Sequence, residues 1–236
     1  MWANNETGVV QPVAEVARVC RQRGILFHTD AVQAAGKLPM GPGTVDADLM
    51  SLSAHKFGGP AGAGVLRVRR GVTLRALTPG HQENGLRGGT QNVPYAEAFA
   101  LALERAHAEQ PEVARRVGAL RDAFEHAVCS RLADVTVNGA GVPRVPNTSS
   151  LTFEGADGEA LLIALDLDGI CASSGAACAS GTLAPSHVLR AMGLTPARTH
   201  ASLRFSLGPG TTSEEVDRVV EALVRHVPRA RALNAP

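Results

Sequence analysis

The chain has 236 residues, 44% hydrophobic and 19% charged, enough to bury one large core or two modest ones. Its formal net charge of +1 leaves no cation excess for a polyanion, and 3% aromatics leave few rings for stacking bases. No run of about 20 apolar residues could span a bilayer and no basic-then-apolar leader is visible, so a cytoplasmic protein without nucleic-acid or membrane contacts is expected.

The first half alternates helical and strand patterns. Val13, Val16, Ala17, Val19 and Cys20 have helical spacing, with Gly24 as the stop. Three short apolar runs then read as strands: Ile25 to Asp30, Ala47 to Ser53, and Gly64 to Val68. Strand, crossover, strand indicates an α/β sheet that is at least partly parallel. In such sheets ligands sit beyond the carboxyl ends of strands, where Asp30 and Ser53 fall.

A glycine-rich loop, Gly80 to Gly89, leads into a long helical region from Pro94 to Arg131, with a break or bend expected at Pro111. Strands follow at Val135 to Val137 and Ser149 to Phe153, then a helix over Gly158 to Leu167. A strand over Ser202 to Ser206 and a helix over Thr212 to Val227 close the pattern, leaving Arg229 to Pro236 as a loose tail. The domain boundary is placed near residue 110, giving domains 1–110 and 111–236.

Four cysteines, Cys20, Cys129, Cys171 and Cys178, include no Cys-x-x-Cys pair, so reduced thiols are expected. Cys20, on an apolar helix face, and Cys129, near a helix end, read as packing residues. Cys178 differs: it sits in Ser173-Ser174-Gly175-Ala176-Ala177-Cys178-Ala179-Ser180-Gly181, a run of small residues with nothing bulky to bury. That predicts a mobile surface loop presenting a nucleophilic thiol. Cys171, Cys178 and His187 match no common zinc spacing.

In Ser53-Ala54-His55-Lys56-Phe57-Gly58-Gly59-Pro60, a lysine follows an apolar strand and precedes glycines. Desolvation there would lower its pKa and make the amine nucleophilic; an ordinary surface lysine is the alternative. Asp30 ends the preceding strand. Pyridoxal phosphate needs a lysine for its Schiff base, an acid for its ring nitrogen and donors for its phosphate. Lys56, Asp30, and Ser53 with His55 supply that set, although Asp30 could equally cap the turn after it. Alternation in Ser202-Leu203-Arg204-Phe205-Ser206 puts Arg204 opposite Leu203 and Phe205, where its guanidinium suits a carboxylate or an ordinary surface ion pair.

These segments, with Asn4-Asn5-Glu6-Thr7-Gly8 and Arg87-Gly88-Gly89-Thr90-Gln91-Asn92, resemble the cysteine desulfurases of the class-V aminotransferase family. The resemblance covers essentially the whole chain, in order and spacing. It implies a fold-type-I α/β architecture: an incomplete large cofactor-binding domain with a mostly parallel sheet, and a smaller α+β C-terminal domain carrying the cysteine loop.

By the same resemblance, Lys56 bonds pyridoxal 5'-phosphate and moves protons. Asp30 pairs with the pyridine nitrogen, Gln33 with the ring hydroxyl, and Ser53 and His55 with the phosphate. Asn5 lies beside cofactor and substrate, and Arg204 holds the carboxylate of L-cysteine. Thr90 reaches the phosphate of a neighbouring subunit, which implies a homodimer. Cys178 takes the sulfur as a persulfide, releasing alanine, for an acceptor protein such as an iron–sulfur scaffold or for tRNA thiolation.

Ala176, Ala179 and Gly88 stand where the family usually has other small residues, and Gly80 to Asn84 departs slightly from its glycine-rich form. Family members also have a long stretch before Asn4, which implies a fragment, a mis-assigned start or half of a split protein. Poor solubility and weak cofactor binding follow for the chain alone. Two other readings stay open: a related lyase or aminotransferase with the same cofactor, such as a selenocysteine lyase, and a non-catalytic partner-binding subunit.

Overall fold

The computed structural model describes residues 1–41, 43–174 and 185–234. They form two compact units, Met1–Ala3 with Gln11–Pro111, and Asn4–Val10 with Glu112–Pro236.

In the first unit, helix α1 (Val13–Gln22) buries Val13 and Ala17. Gly24 ends it at φ +65°, and the Ile25 N–H closes back on the Cys20 carbonyl. That bond keeps Ile25 out of the sheet, so strand β1 (His28–Asp30) is half as long as the apolar run predicts. Strand β2 (Leu49–Ser53) pairs parallel with β1, and strand β3 (Gly64–Val68) pairs antiparallel with β2, making a mixed sheet ordered β1-β2-β3. A 3-10 turn (Ala54–Lys56) follows β2 directly. Segment α2 (Gln82–Gly85) is one turn in which Glu83 and Asn84 take left-handed backbone.

Helix α3 (Val93–Arg131) carries Pro111 within it, so the expected break does not occur. Proline removes one N–H and frees the carbonyl four residues back, that of His107. His107 is exposed, and water can take that carbonyl's bond.

In the second unit, strands β4 (Val135–Val137), β5 (Thr148–Phe153), β6 (Ser173–Ser174) and β7 (Ser202–Ser206) form an antiparallel sheet ordered β4-β5-β7-β6. Helix α4 (Gly158–Leu167) is capped by Asp157, whose side chain accepts from the Glu159 and Ala160 N–H groups. Short helices α5 (His187–Ala191) and α6 (Pro196–His200) precede β7. Helix α7 (Ser213–Leu233) opens with a capping box between Thr212 and Glu215. Val117, Phe124, Phe153, Leu165, Phe205 and Leu223 belong to one core that joins sheet and helices.

The loose tail expected from Arg229 is instead the last turns of α7, which runs through Pro228. Two contacts hold it: Ala230 is buried, and Arg231 donates to the Glu154 and Ala133 carbonyls at 2.9 and 2.6 Å. Cys129, expected to pack, is exposed.

Candidate active site

The parallel pairing of β1 and β2 decides the first unit's chemistry. Its register sets Asp30 opposite Ser51, so Asp30 and the Ser53–Lys56 segment lie at the carboxyl ends of adjacent strands. The chain leaves β2 into the 3-10 turn, and the Ala54 N–H bonds the Ala63 carbonyl at 3.0 Å. Gly59 is required beneath it, because a Cβ there would stand 2.8 Å from the Ala54 Cβ. Ser53 Oγ and His55 Nδ1 are hydrogen-bonded at 2.9 Å.

Asp30 does what a capping aspartate does and keeps a free oxygen. Its Oδ1 accepts from the Val32 N–H at 2.9 Å, and its carbonyl from the Trp2 N–H at 2.7 Å. Its Oδ2 has no hydrogen bond among the described residues. His28 Nε2 and Ser51 Oγ are joined at 2.8 Å on the same strands.

Lys56 and His55 are exposed, so the desolvation expected of Lys56 falls elsewhere. It falls on Lys37, which sequence reasoning passed over. Burial first, and the Lys56 charge second, push the Lys37 amine down to about 8. Its Nζ donates to the Gln33 side-chain oxygen at 3.0 Å and to the Gln33 carbonyl at 3.3 Å. The signal was present: one cation four residues after Gln33 in the otherwise uncharged Ala31–Met40 run. Thr90 is exposed, its carbonyl accepting from Arg87 at 3.4 Å.

Asn5 and Arg204 belong to the second unit. Asn4 Oδ1 accepts from the Glu6 and Thr7 N–H groups, both at 2.9 Å, and so folds the Asn4–Gly8 turn. Gly8, at φ +76°, ends it where a Cβ would lie 3.0 Å from that of Thr148. The turn brings the Asn5 carbonyl within 2.8 Å of Arg204 Nη1 on β7. Arg204 Nε is buried and has no hydrogen-bond partner among the described residues. Glu6, also passed over, is buried and accepts from the buried Ser186 hydroxyl at 2.5 Å. Cys178 lies outside the described residues.

A family model described as aminotransferase class-V matches residues 1–219. The chain belongs to that family. It is 46% identical over 235 residues to a cysteine desulfurase of Trichormus azollae, covering 99% of this chain and 59% of that protein. A cysteine desulfurase of Klebsiella pneumoniae matches with the same identity and coverage. The fold is similar to that of a NifS-like protein from Rickettsia africae, with a TM-score of 0.87 at 30% identity, over 97% of this chain and 60% of that one. The chain thus spans about 59% of the length of the curated relatives it matches.

Class-V aminotransferases are pyridoxal-phosphate enzymes, and the donor set here suits that group. Asp30 offers one unbonded carboxylate oxygen for a ring N–H. Gln33 has a free NH₂ for a ring oxygen, and Ser53 with His55 offers a hydroxyl and an imidazole for a phosphate. An exposed lysine amine stands next in the chain.

Proposed function

We propose that this chain carries the chemistry of a cytoplasmic cysteine desulfurase, which splits L-cysteine into L-alanine and an enzyme-bound persulfide. The observation behind this reading is the parallel β1–β2 register, which gathers the acid, the phosphate donors and the lysine at two neighbouring strand ends. Arg204 supports it, because its Nε is a buried donor with no partner among the described residues, and such a guanidinium suits a substrate carboxylate.

Pyridoxal phosphate, when bound, supplies the electron sink that weakens the bond between cysteine's Cβ and sulfur. Lys56 Nζ holds the group and carries protons. The Asp30 carboxylate keeps a proton on the ring nitrogen, Gln33 donates to the ring oxygen, and Ser53 and His55 hold the phosphate. Arg204 and Asn5 orient the amino acid. The Cys178 thiolate attacks the substrate sulfur; a sulfur–sulfur bond forms, the carbon–sulfur bond breaks, and a proton on carbon completes alanine. Thr90 serves a second copy of the chain, making the working unit a homodimer. The persulfide then passes to an acceptor protein such as an iron–sulfur scaffold.

Mass spectrometry after incubation with pyridoxal phosphate and cysteine tests this directly. One added sulfur atom on the Cys178 peptide, lost in Cys178→Ala and in Lys56→Ala, is the expected result. Sulfur added elsewhere excludes Cys178 as acceptor; alanine formed with no sulfur on the protein points to a lyase instead. Cys178→Ala should also keep the visible absorption of the loaded protein, which Lys56→Ala should lose.

A further inference from the structure

The turn that follows β1 contains a half-buried lysine amine, Lys37, and its contacts are specific. Backbone bonds from Ala34 and Ala35 to the Ala31 carbonyl, and from Lys37 and Leu38 to that of Ala34, wind residues 31–38 into a helical turn. Gly36 sits at φ +71°, a conformation that strains any side chain, and a Cβ there would press at 3.2 Å on both the Ala106 and the Phe57 Cβ. The buried Gln110 donates to the Lys37 carbonyl at 3.2 Å. The backbone around Lys37 is therefore held from several sides, and among the described residues the ammonium has the Gln33 carboxamide and carbonyl as acceptors.

An ammonium has three donors and no acceptor, so it can hydrogen-bond only the oxygen of a carboxamide, never its NH₂. Lys37 thereby decides which way Gln33 is flipped. With Oε1 occupied at 3.0 Å, the NH₂ becomes the free end, and it has no partner among the described residues. Without Lys37 the two orientations of Gln33 would be nearly equivalent, and one of them would turn an oxygen lone pair toward a ring oxygen.

Resting on the desulfurase reading above, we infer that Lys37 is a positioning residue that fixes Gln33 as a donor to the cofactor's ring oxygen. It acts through Gln33 and touches neither cofactor nor substrate. Burying a cation is costly, and a methionine of similar length would fill the same space without that cost. What the methionine cannot do is orient an amide.

The test uses the 236-residue chain and three variants, Lys37→Met, Gln33→Met and the double mutant. Pyridoxal phosphate affinity is measured by equilibrium dialysis and thermal unfolding in the absence of cofactor. Lys37→Met should bind about fivefold more weakly, the worth of one hydrogen bond, while its Tm stays level or rises. A residue that merely supported the fold would lose Tm along with affinity. The double mutant should bind no more weakly than Gln33→Met alone.

In cofactor-free protein labelled with nitrogen-15 glutamine, the Gln33 side-chain signal should move in Lys37→Met. Wild-type affinity in Lys37→Met, losses that multiply in the double mutant, or an unmoved Gln33 signal would each overturn the inference and leave the desulfurase reading standing. Wild-type protein that binds no pyridoxal phosphate would overturn both.

Discussion

Strands β2 and β5 each lie inside their own sheet, yet they meet opposite fates. Every residue of β5, Thr148-Ser149-Ser150-Leu151-Thr152-Phe153, is buried; no residue of Leu49-Met50-Ser51-Leu52-Ser53 in β2 is. The buried strand is the more polar of the two. Cover decides the matter, not hydrophobicity. On one face of β5, Leu151 and Phe153 enter the main core. On the other, Asn138 donates to Ser150 and accepts from Thr152, each at 3.1 Å, and Thr152 pairs with Ser202 at 2.8 Å. A hydrogen-bonded polar face can be buried as firmly as an apolar one, and here the burial even extends to Ser149, whose hydroxyl has no partner among the described residues. In the first unit, Val65 and Leu66 of β3 remain 41% and 49% exposed. The chemistry-bearing strand ends thus sit on a sheet with little cover, and the enclosed core belongs to the other unit.

Truncating one residue of each strand exposes that contrast most sharply. Phe153→Ala should cost about 3–5 kcal/mol and Leu52→Ala only about 1 kcal/mol, read as midpoint shifts in urea unfolding. Equal losses would mean that β2 is covered in solution. The second unit also holds a nearly enclosed ion pair, Arg144 to both Glu125 oxygens at 2.7 Å, with side chains 10% and 11% exposed. Arg144→Ala leaves that carboxylate unpaired and should cost about 3 kcal/mol; a loss under 1 would show that water reaches Glu125. Thr152→Val keeps the shape of β5 but deletes the hydroxyl between Asn138 and Ser202, and about 2 kcal/mol should follow. No change would mean that the polar face of β5 is wet.

Much of this was legible from residues alone. Gly158–Leu167 and Ser202–Ser206 are the helix and strand that their periodicity predicts, and Asp30 and Ser53 fall where strand-end reasoning puts them. Failures came where tertiary contacts overrode a local rule. Pro111 reads as a break or bend, but it is exposed and α3 runs through it; the closing helix reads as ending at Val227, but buried Ala230 and the Arg231 bonds carry α7 onward. The apolar Ile25-Leu26 pair reads as strand, but the Ile25 N–H is already committed to Cys20. Lys37 escaped notice because its one signal, a lone cation four residues after Gln33 in an uncharged run, does not say that the turn folds the amine back onto Gln33. Pattern shows which residues alternate; it does not show what lies on top of them.

Lys37 offers the subtlest way to sharpen the comparison, through a probe confined to the first unit. Trp2, the chain's single tryptophan, is buried there, so its fluorescence follows that unit's unfolding. Burial, aided by the Lys56 charge, lowers the Lys37 amine from an ordinary 10.5 to about 8. Between those values the unfolded chain holds a proton that the folded chain has released, so stability rises with pH across the window. Below about 8 both states are protonated and the cost of burying the cation is felt in full. From pH 7 to pH 9 the Trp2-monitored unfolding free energy should therefore gain about 1 kcal/mol relative to Lys37→Met, in which no such group titrates. Parallel pH profiles for wild type and variant would place the Lys37 ammonium in water and overturn the contrast between a half-buried charge and the apolar strands left half open in the first unit.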